Sequence, residues 1–146
     1  MRKIIKIVIP LVLFWMTPLI SHSQMLNINI TGIRGMSGNL CIAVFTSAYD
    51  YIKEKAYIIE CFSKSTLQEG SICINMSLSP GTYCLTVHDD EDGDGKMRYN
   101  VLGIPREGFG FSNLDQNRLR RPSFDEISFT VDQDEVIDVN VKMRYY

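Results

Sequence analysis

The sequence predicts an all-β protein: an antiparallel β-sandwich of about seven strands, immunoglobulin-like or transthyretin-like, that follows an N-terminal signal peptide. Apolar and polar residues alternate in several short runs, turn residues separate these runs, and helix-like composition is confined to one short segment. Strict alternation places one side of a strand in a core and the other in water. Short strands separated by turns in this way are typical of two packed sheets.

The first 24 residues are predicted to be a secretory signal peptide, which leaves a single domain at residues 25–146. Residues 2–6 carry three basic side chains, residues 7–16 are apolar, and residues 21–23 include two serines suited to signal-peptidase cleavage. A membrane-spanning helix needs roughly 20 apolar residues, and this run is shorter and interrupted. We therefore expect a periplasmic or secreted protein with no membrane anchor after cleavage.

The alternating runs follow one another through the rest of the chain. They cover residues 26–31, 72–78, 83–88, 127–131 and 137–143. Residues 40–45 form a nearly continuous run of β-favouring residues, and a further strand is predicted near residues 57–62. Residues 48–55 are the segment predicted to form a helical turn. Pro80-Gly81 predicts a tight turn, because proline presets φ and glycine tolerates a positive φ. With Tyr83 starting the next run, this segment resembles the strand-to-strand corner of immunoglobulin-like and transthyretin-like sandwiches.

Charge and histidine content exclude several classes of function. Without the leader, 12 basic side chains face 17 acidic ones, so no positive field is available for binding nucleic acid. The chain has two histidines, and one of them, His22, lies in the predicted leader. The histidine content is too low for most metal-hydrolase sites and catalytic triads.

Four cysteines, Cys41, Cys61, Cys73 and Cys84, remain after the leader. An exported protein meets an oxidising environment, so disulfides are permitted, and four cysteines allow three connectivities. The alternative is that they are buried free thiols that act as small apolar residues. No Cys-x-x-Cys occurs, which argues against a zinc ribbon or a thioredoxin-like site.

An acidic loop at residues 88–96 is the strongest candidate for a metal site. Counting from Asp90, carboxylates fall at the first, third and fifth positions (Asp90, Asp92 and Asp94), with glycine at the sixth. Alternate residues can direct oxygens to one cation, and the glycine permits the sharp turn of a calcium loop. The sequence therefore predicts a Ca²⁺ site formed by Asp90, Asp92, Asp94 and the backbone carbonyl of Lys96.

Alternatives to this ligand set stay open. The second half of the loop departs from the EF-hand pattern, since Val101 stands where a closing glutamate is expected, so a more distant carboxylate would have to complete the shell. Asp89 could also take the place of Asp90. The same composition is typical of a solvated acidic turn with no metal.

The long segment after the acidic loop lacks alternation and carries a candidate ligand surface. Phe109 and Phe111 either line a shallow binding surface or plug the open end of the sandwich, and we favour the plug. Arg118, Arg120 and Arg121 either bind an anionic ligand or neutralise the acidic loop, a solvated pairing of little energetic value.

Several strings along the chain resemble domain-of-unknown-function family 2141, a family of exported bacterial proteins. The strings are Thr31-Gly32-Ile33-Arg34, Gly38-x-Leu40-x-Ile42-Ala43-Val44-Phe45, Pro80-Gly81-Thr82-Tyr83, His88-Asp89, Asp92-Gly93-Asp94-Gly95-Lys96-Met97, Asn100-x-Leu102-Gly103-Ile104-Pro105, Glu107-x-Phe109-Gly110-Phe111-Ser112-Asn113 and Pro122-Ser123-Phe124. The resemblance implies a secreted or periplasmic β-sandwich with no established activity. The family usually has an acidic residue where Arg98 stands, and this chain has one extra residue between His88 and Asp92.

These observations predict an exported, non-catalytic binding or accessory module of the cell envelope that acts on a protein or a glycan. One alternative is a small secreted hydrolase that uses His88 with Asp89 or Asp90, because a histidine beside carboxylates can act as a general base. No serine or cysteine lies in a nucleophile motif. Another alternative is a carrier of a small apolar ligand inside the sandwich.

Overall fold

In the computed structural model, the described residues are 24–115, 120–133 and 136–146. The predicted signal peptide lies outside this part of the chain except for Gln24, the first residue of β1. The described residues form eight strands, two short α-helices and a 3₁₀ turn at Lys64–Thr66. The elements are β1 Gln24–Thr31, β2 Asn39–Phe45, α1 Ala48–Ile52, β3 Ile58–Ser63, β4 Ser71–Leu78, β5 Gly81–Asp90, β6 Gly108–Phe111, α2 Phe124–Ile127, β7 Phe129–Val131 and β8 Ile137–Lys142.

The strands form two sheets, which confirms the predicted all-β sandwich. One sheet has the order β4-β1-β8, and the other has the order β3-β2-β5-β6 with β7 also paired to β5. The pairing differs from the prediction at one place, because β1 and β8 run parallel while the other strand pairs are antiparallel. Most of the chain separates β1 from β8, so no hairpin turn forces them to be antiparallel.

The main core lies between the two sheets and follows the predicted alternation. In β4 each second residue is buried, and in β1 the apolar positions of the alternating run face the same core. Burial of one such aliphatic side chain contributes about 1.5–3 kcal/mol before the entropy cost of ordering it. The residues of these two strands in the core are Leu26, Ile28, Ile30, Ile72, Ile74, Met76 and Leu78.

A smaller cluster covers the other face of β5, where α1 and α2 pack together. The single predicted helical turn corresponds to α1, but α2 was not predicted, and Ile127, which was assigned to a strand, ends this helix. A capping box explains this helix. The backbone N–H of Ser123 donates to the side chain of Glu126, and the side chain of Ser123 accepts a hydrogen bond from the backbone N–H of Glu126. No helix in the described ranges is long and apolar enough to cross a membrane.

The corner before β5 forms around Tyr83, whose hydroxyl donates to the carbonyl of Ser79 at 2.9 Å. This backward bond is similar to the tyrosine corner found in immunoglobulin-like sandwiches. Gly81 is not among the glycines with a positive φ, so this corner does not depend on that freedom of glycine. A side chain there would instead meet the Tyr83 ring and hydroxyl at 3.1–3.2 Å, so the close approach of Tyr83 favours glycine.

One of the disulfide possibilities is realised between β2 and β3. Cys41 and Cys61 lie directly opposite each other in the strand register and form a disulfide. Cys73 is a free exposed thiol and Cys84 is a free buried one. Burial raises the pKa of the Cys84 thiol to about 12, so this group stays neutral and acts as a small apolar side chain.

Candidate metal centre

The end of β5 brings the acidic loop next to the start of β6. In the β5–β6 register, Asp89 lies opposite Gly108 and His88 lies opposite Phe109. Glu107 directly precedes β6, so antiparallel pairing places it beside Asp90 at the end of β5. Strand pairing thus joins two parts of the chain that are well separated in sequence.

Asp90, Asp92 and Glu107 form an acidic cluster, which we call the outer site. Each supplies one carboxylate oxygen, and these oxygens lie within 4.8 Å of one another. Asp90 is only 4% exposed and Glu107 only 5%. In the described part of the chain, Oδ1 of Asp90 and Oε1 of Glu107 are buried without a hydrogen-bond partner. A buried carboxylate oxygen without a partner is costly, and a bound cation would offset that cost.

The second oxygen of each buried carboxylate is held by a protein group. Oδ2 of Asp90 accepts a hydrogen bond from the backbone N–H of Gly95 at 3.1 Å. Oε2 of Glu107 lies 2.9 Å from Nε2 of His88 and accepts from the backbone N–H of Arg98 at 3.4 Å. These contacts orient the carboxylates, as outer hydrogen bonds do around metal ligands, so the unpartnered oxygens have defined positions.

Arg98 binds the more exposed carboxylates of the loop. Its guanidinium forms ion pairs with Asp92 and with Asp94, the latter at 3.0 Å. Asp94 also accepts a hydrogen bond from the backbone N–H of Lys96 at 2.8 Å. The Lys96 N–H, followed by the Arg98 guanidinium, lowers the pKa of Asp94. Arg98 therefore supplies a positive charge at the edge of the outer site and competes there with any added cation for Asp92.

The structure brings together part of the predicted ligand set and adds one residue to it. Asp90 and Asp92 belong to the outer site, whereas Asp94 is not part of this cluster. Lys96 contributes its backbone N–H to Asp94. Glu107 supplies the third carboxylate of the cluster from outside the loop, and the sequence did not single it out. The signal that could have found it is a lone acidic residue directly before the Gly-Phe-Gly-Phe segment.

Asp89 belongs to a different group, which we call the inner site and which also contains Lys64 and Tyr145. The Lys64 ammonium and the Asp89 carboxylate form an ion pair in which both side chains are fully buried. The Tyr145 hydroxyl donates to Oδ2 of Asp89 at 2.6 Å. Burial, with that hydrogen bond as the next cause, raises the pKa of Tyr145. Asp89 is therefore engaged by the protein itself, and Asp90 is the residue at the outer site.

Phe109 and Phe111 lie in β6, within the segment that was read as lacking alternation. Both are half-buried, their ring centroids are 5.7 Å apart, and Phe109 also contacts Tyr146 at 5.9 Å. Gly108 and Gly110, which alternate with the two phenylalanines, are buried, and a side chain at Gly110 would clash with a Val141 methyl. The segment is a β-strand in which buried glycines alternate with half-buried phenylalanines. A hydropathy pattern does not reveal this alternation, because glycine has no apolar side chain.

The described arginines of the predicted ligand surface are paired elsewhere in the molecule. Arg120 forms an ion pair with Glu126 at 2.5 Å, and Arg121 forms one with Glu54 at 2.8 Å. The expectation that these arginines neutralise the acidic loop is therefore wrong for both. Arg118 lies outside the described residues.

Fold and site together define an all-β sandwich with an oxygen-rich acidic cluster at the end of its central strand. The chain belongs to the family DUF2141, described as an uncharacterized protein conserved in bacteria, whose family model matches residues 28–139. That range includes the outer site and confirms the resemblance drawn from the sequence motifs. No curated protein matches the chain, and no solved structure matches it either.

Proposed function

We propose that this chain is an exported, non-catalytic binding or accessory module of the cell envelope that binds Ca²⁺ at the outer site. The observation that carries the proposal is the pair of buried, unpartnered carboxylate oxygens on Asp90 and Glu107, with Asp92 beside them. Calcium is a hard cation that binds oxygen ligands, and the three residues of the cluster offer only carboxylate oxygens.

The ligand count supports a modest affinity. Calcium takes six to eight oxygens, so three carboxylates leave several positions to water or to a partner molecule. Arg98 also competes for Asp92. Extracellular calcium modules commonly bind with dissociation constants of roughly 10⁻⁴ to 10⁻³ M, and we expect this range here.

The contacts of His88 support a structural role for this residue. His88 is the one histidine of the chain beyond the predicted leader. Its Nε2 is engaged by Glu107, which in turn belongs to the outer site. A histidine placed in this way holds a ligand carboxylate in position, whereas the hydrolase alternative requires a nitrogen that faces a substrate.

Thermal melting of the processed protein in EDTA and in millimolar calcium tests this proposal. A cation that binds only the folded state raises the free energy of unfolding by about 2.7 kcal/mol at a hundred times its dissociation constant. We expect Asp90→Asn and Glu107→Gln to abolish this stabilisation. In EDTA the two variants should be at least as stable as the wild type, because each removes a buried charge with an unpartnered oxygen.

Glu60→Gln is the matched control, since Glu60 is an exposed carboxylate on β3 away from the cluster. It should keep the full calcium response. An unchanged melting temperature of the wild type in calcium contradicts the proposal, and so does a response that survives in Asp90→Asn.

A further inference from the structure

A hairpin at residues 98–106 follows the acidic loop and leads into Glu107. The Arg106 N–H donates to the Arg98 carbonyl at 2.8 Å, and the Asn100 N–H donates to the Ile104 carbonyl at 2.9 Å. The Asn100 side-chain oxygen also accepts from the N–H groups of Leu102 and Ile104, at 2.9 and 3.0 Å. The turn is therefore closed by its own polar groups, so its apolar side chains are not needed to hold it together.

The tip of this hairpin presents apolar side chains to solvent. Val101 is 100% exposed and Leu102 is 79% exposed, while Tyr99 and Ile104 on either side are 58% and 36% exposed. Isolated exposed apolar residues are ordinary, whereas exposed apolar side chains grouped on one loop are a candidate for an interaction site. The tip of a turn protrudes from the protein surface. Apolar side chains at such a tip are therefore suited to insertion into a fluid apolar phase.

Basic residues surround the base of the same hairpin. Lys96 and Arg106 are exposed, and neither forms an ion pair in the part of the chain that the structure describes. From tip to base the hairpin thus has aliphatic side chains, then Tyr99, then positive charge. A phospholipid surface has the same order from its interior outwards: hydrocarbon, an interfacial layer that accommodates tyrosine, and headgroup phosphates that attract lysine and arginine.

We propose that the hairpin inserts Val101 and Leu102 into an anionic phospholipid surface when calcium occupies the outer site. This inference rests on the proposed function, because Asp90, Asp92 and Glu107 flank the hairpin and repel phosphate groups unless a bound cation offsets most of their charge. Calcium bound by three carboxylates also has coordination positions that phosphate oxygens can fill. The cation therefore links the charge state of the loop to contact between the hairpin and the lipid.

Cosedimentation of the processed protein with phosphatidylcholine vesicles containing 30% phosphatidylglycerol tests this inference. We expect binding in millimolar calcium and none in EDTA or with pure phosphatidylcholine. The double variant Val101→Ser/Leu102→Ser should lower the partition coefficient at least about tenfold, since two aliphatic side chains lose their apolar contact. Ile59→Ser is the matched control, because Ile59 is also exposed, at 66%, but lies on β3.

A tryptophan probe locates the contact. Trp15 is the one tryptophan of the chain and lies in the predicted leader, so Leu102→Trp gives the processed protein a unique fluorophore. Its emission should move to shorter wavelength with anionic vesicles and calcium, whereas that of Ile59→Trp should not change.

The outcomes separate the two proposals. Calcium-dependent melting without vesicle binding overturns the hairpin inference and leaves the calcium site intact. Equal vesicle binding by the wild type and the Val101→Ser/Leu102→Ser variant also overturns it, as does binding that persists in EDTA. The absence of any calcium-dependent melting shift contradicts the proposed function, and the hairpin inference then fails with it.

Discussion

Two consecutive carboxylates on β5 lie in contrasting surroundings. Asp89 faces the inner side of the strand with Leu85 and Val87, and its charge is matched by Lys64. Asp90 faces the other side, and one of its oxygens has no partner among the described residues. Because side chains alternate along a strand, one step in sequence separates a carboxylate satisfied by the chain itself from one that an external cation would satisfy.

This difference distinguishes the carboxylate that stabilises the fold, Asp89, from the carboxylate that is available to bind a ligand, Asp90. At the inner site, an ammonium and a hydroxyl from two distant segments converge on Asp89, so these contacts exist only when the domain is folded. At the outer site, the second oxygens of Asp90 and Glu107 are held while the first remain available. The predictions below test this contrast.

Lys64→Met should have the largest effect. It leaves the Asp89 carboxylate buried without its counter-charge, which costs about 3–5 kcal/mol of stability. Urea denaturation in EDTA measures the loss, and Lys55→Met, at an exposed position, is the matched control. Adding Asp89→Leu to Lys64→Met should recover much of the stability. A single variant as stable as the wild type would show that the inner ion pair is not needed for the fold.

Tyr145→Phe should have a smaller effect of about 1–2 kcal/mol, because it removes one hydrogen bond to Asp89 and leaves the Lys64 charge in place. The effect should also depend on pH. The pKa of Tyr145 is raised above its ordinary value of 10.0, chiefly by burial, so the stability linked to its protonated hydroxyl is fully present below that pH. This stability is lost as the pH rises further.

Urea denaturation between pH 8 and pH 11 measures this dependence, a range chosen to bracket the ordinary tyrosine pKa of about 10. The wild type should lose stability above pH 10 more steeply than Tyr145→Phe. Tyr49→Phe, at an exposed tyrosine, is the control and should follow the wild type. Parallel curves for the wild type and Tyr145→Phe would contradict a role for the inner site in alkaline sensitivity.

Arg98→Gln should have the smallest effect and should act in the opposite direction, as a gain in calcium affinity. Removing the guanidinium that competes for Asp92 should raise the affinity by on the order of fivefold, the value expected for one unit charge at contact distance in water. Calorimetric titration measures the change. Arg106→Gln removes a charge from the same hairpin without breaking an ion pair and should have less effect. Equal affinity in Arg98→Gln and the wild type would show that Arg98 does not compete.

Patterns within one strand were predictable, and so was the spacing within one loop. Alternation identified β1 and β4, and the acidic spacing singled out Asp90 and Asp92. Glu107 was missed because its place beside Asp90 depends on which strand pairs with β5, and local spacing contains no such information. The same reason explains why the burial of Lys64 was not predicted, because the sequence around Lys64 resembles that around a surface lysine.

The parallel pairing of β1 with β8 has a consequence for how the domain forms. Residues 26–31 of β1 lie between β4 and residues 137–142 of β8, so the middle strand of this sheet is completed by the last strand of the chain. A nascent chain that lacks residues 137–145 has an unpaired backbone edge along Leu26–Thr31 and no hydroxyl from Tyr145 at Asp89. These contacts therefore form only once β8 and Tyr145 have been synthesised, and closing so long a loop makes their formation slow compared with hairpin formation.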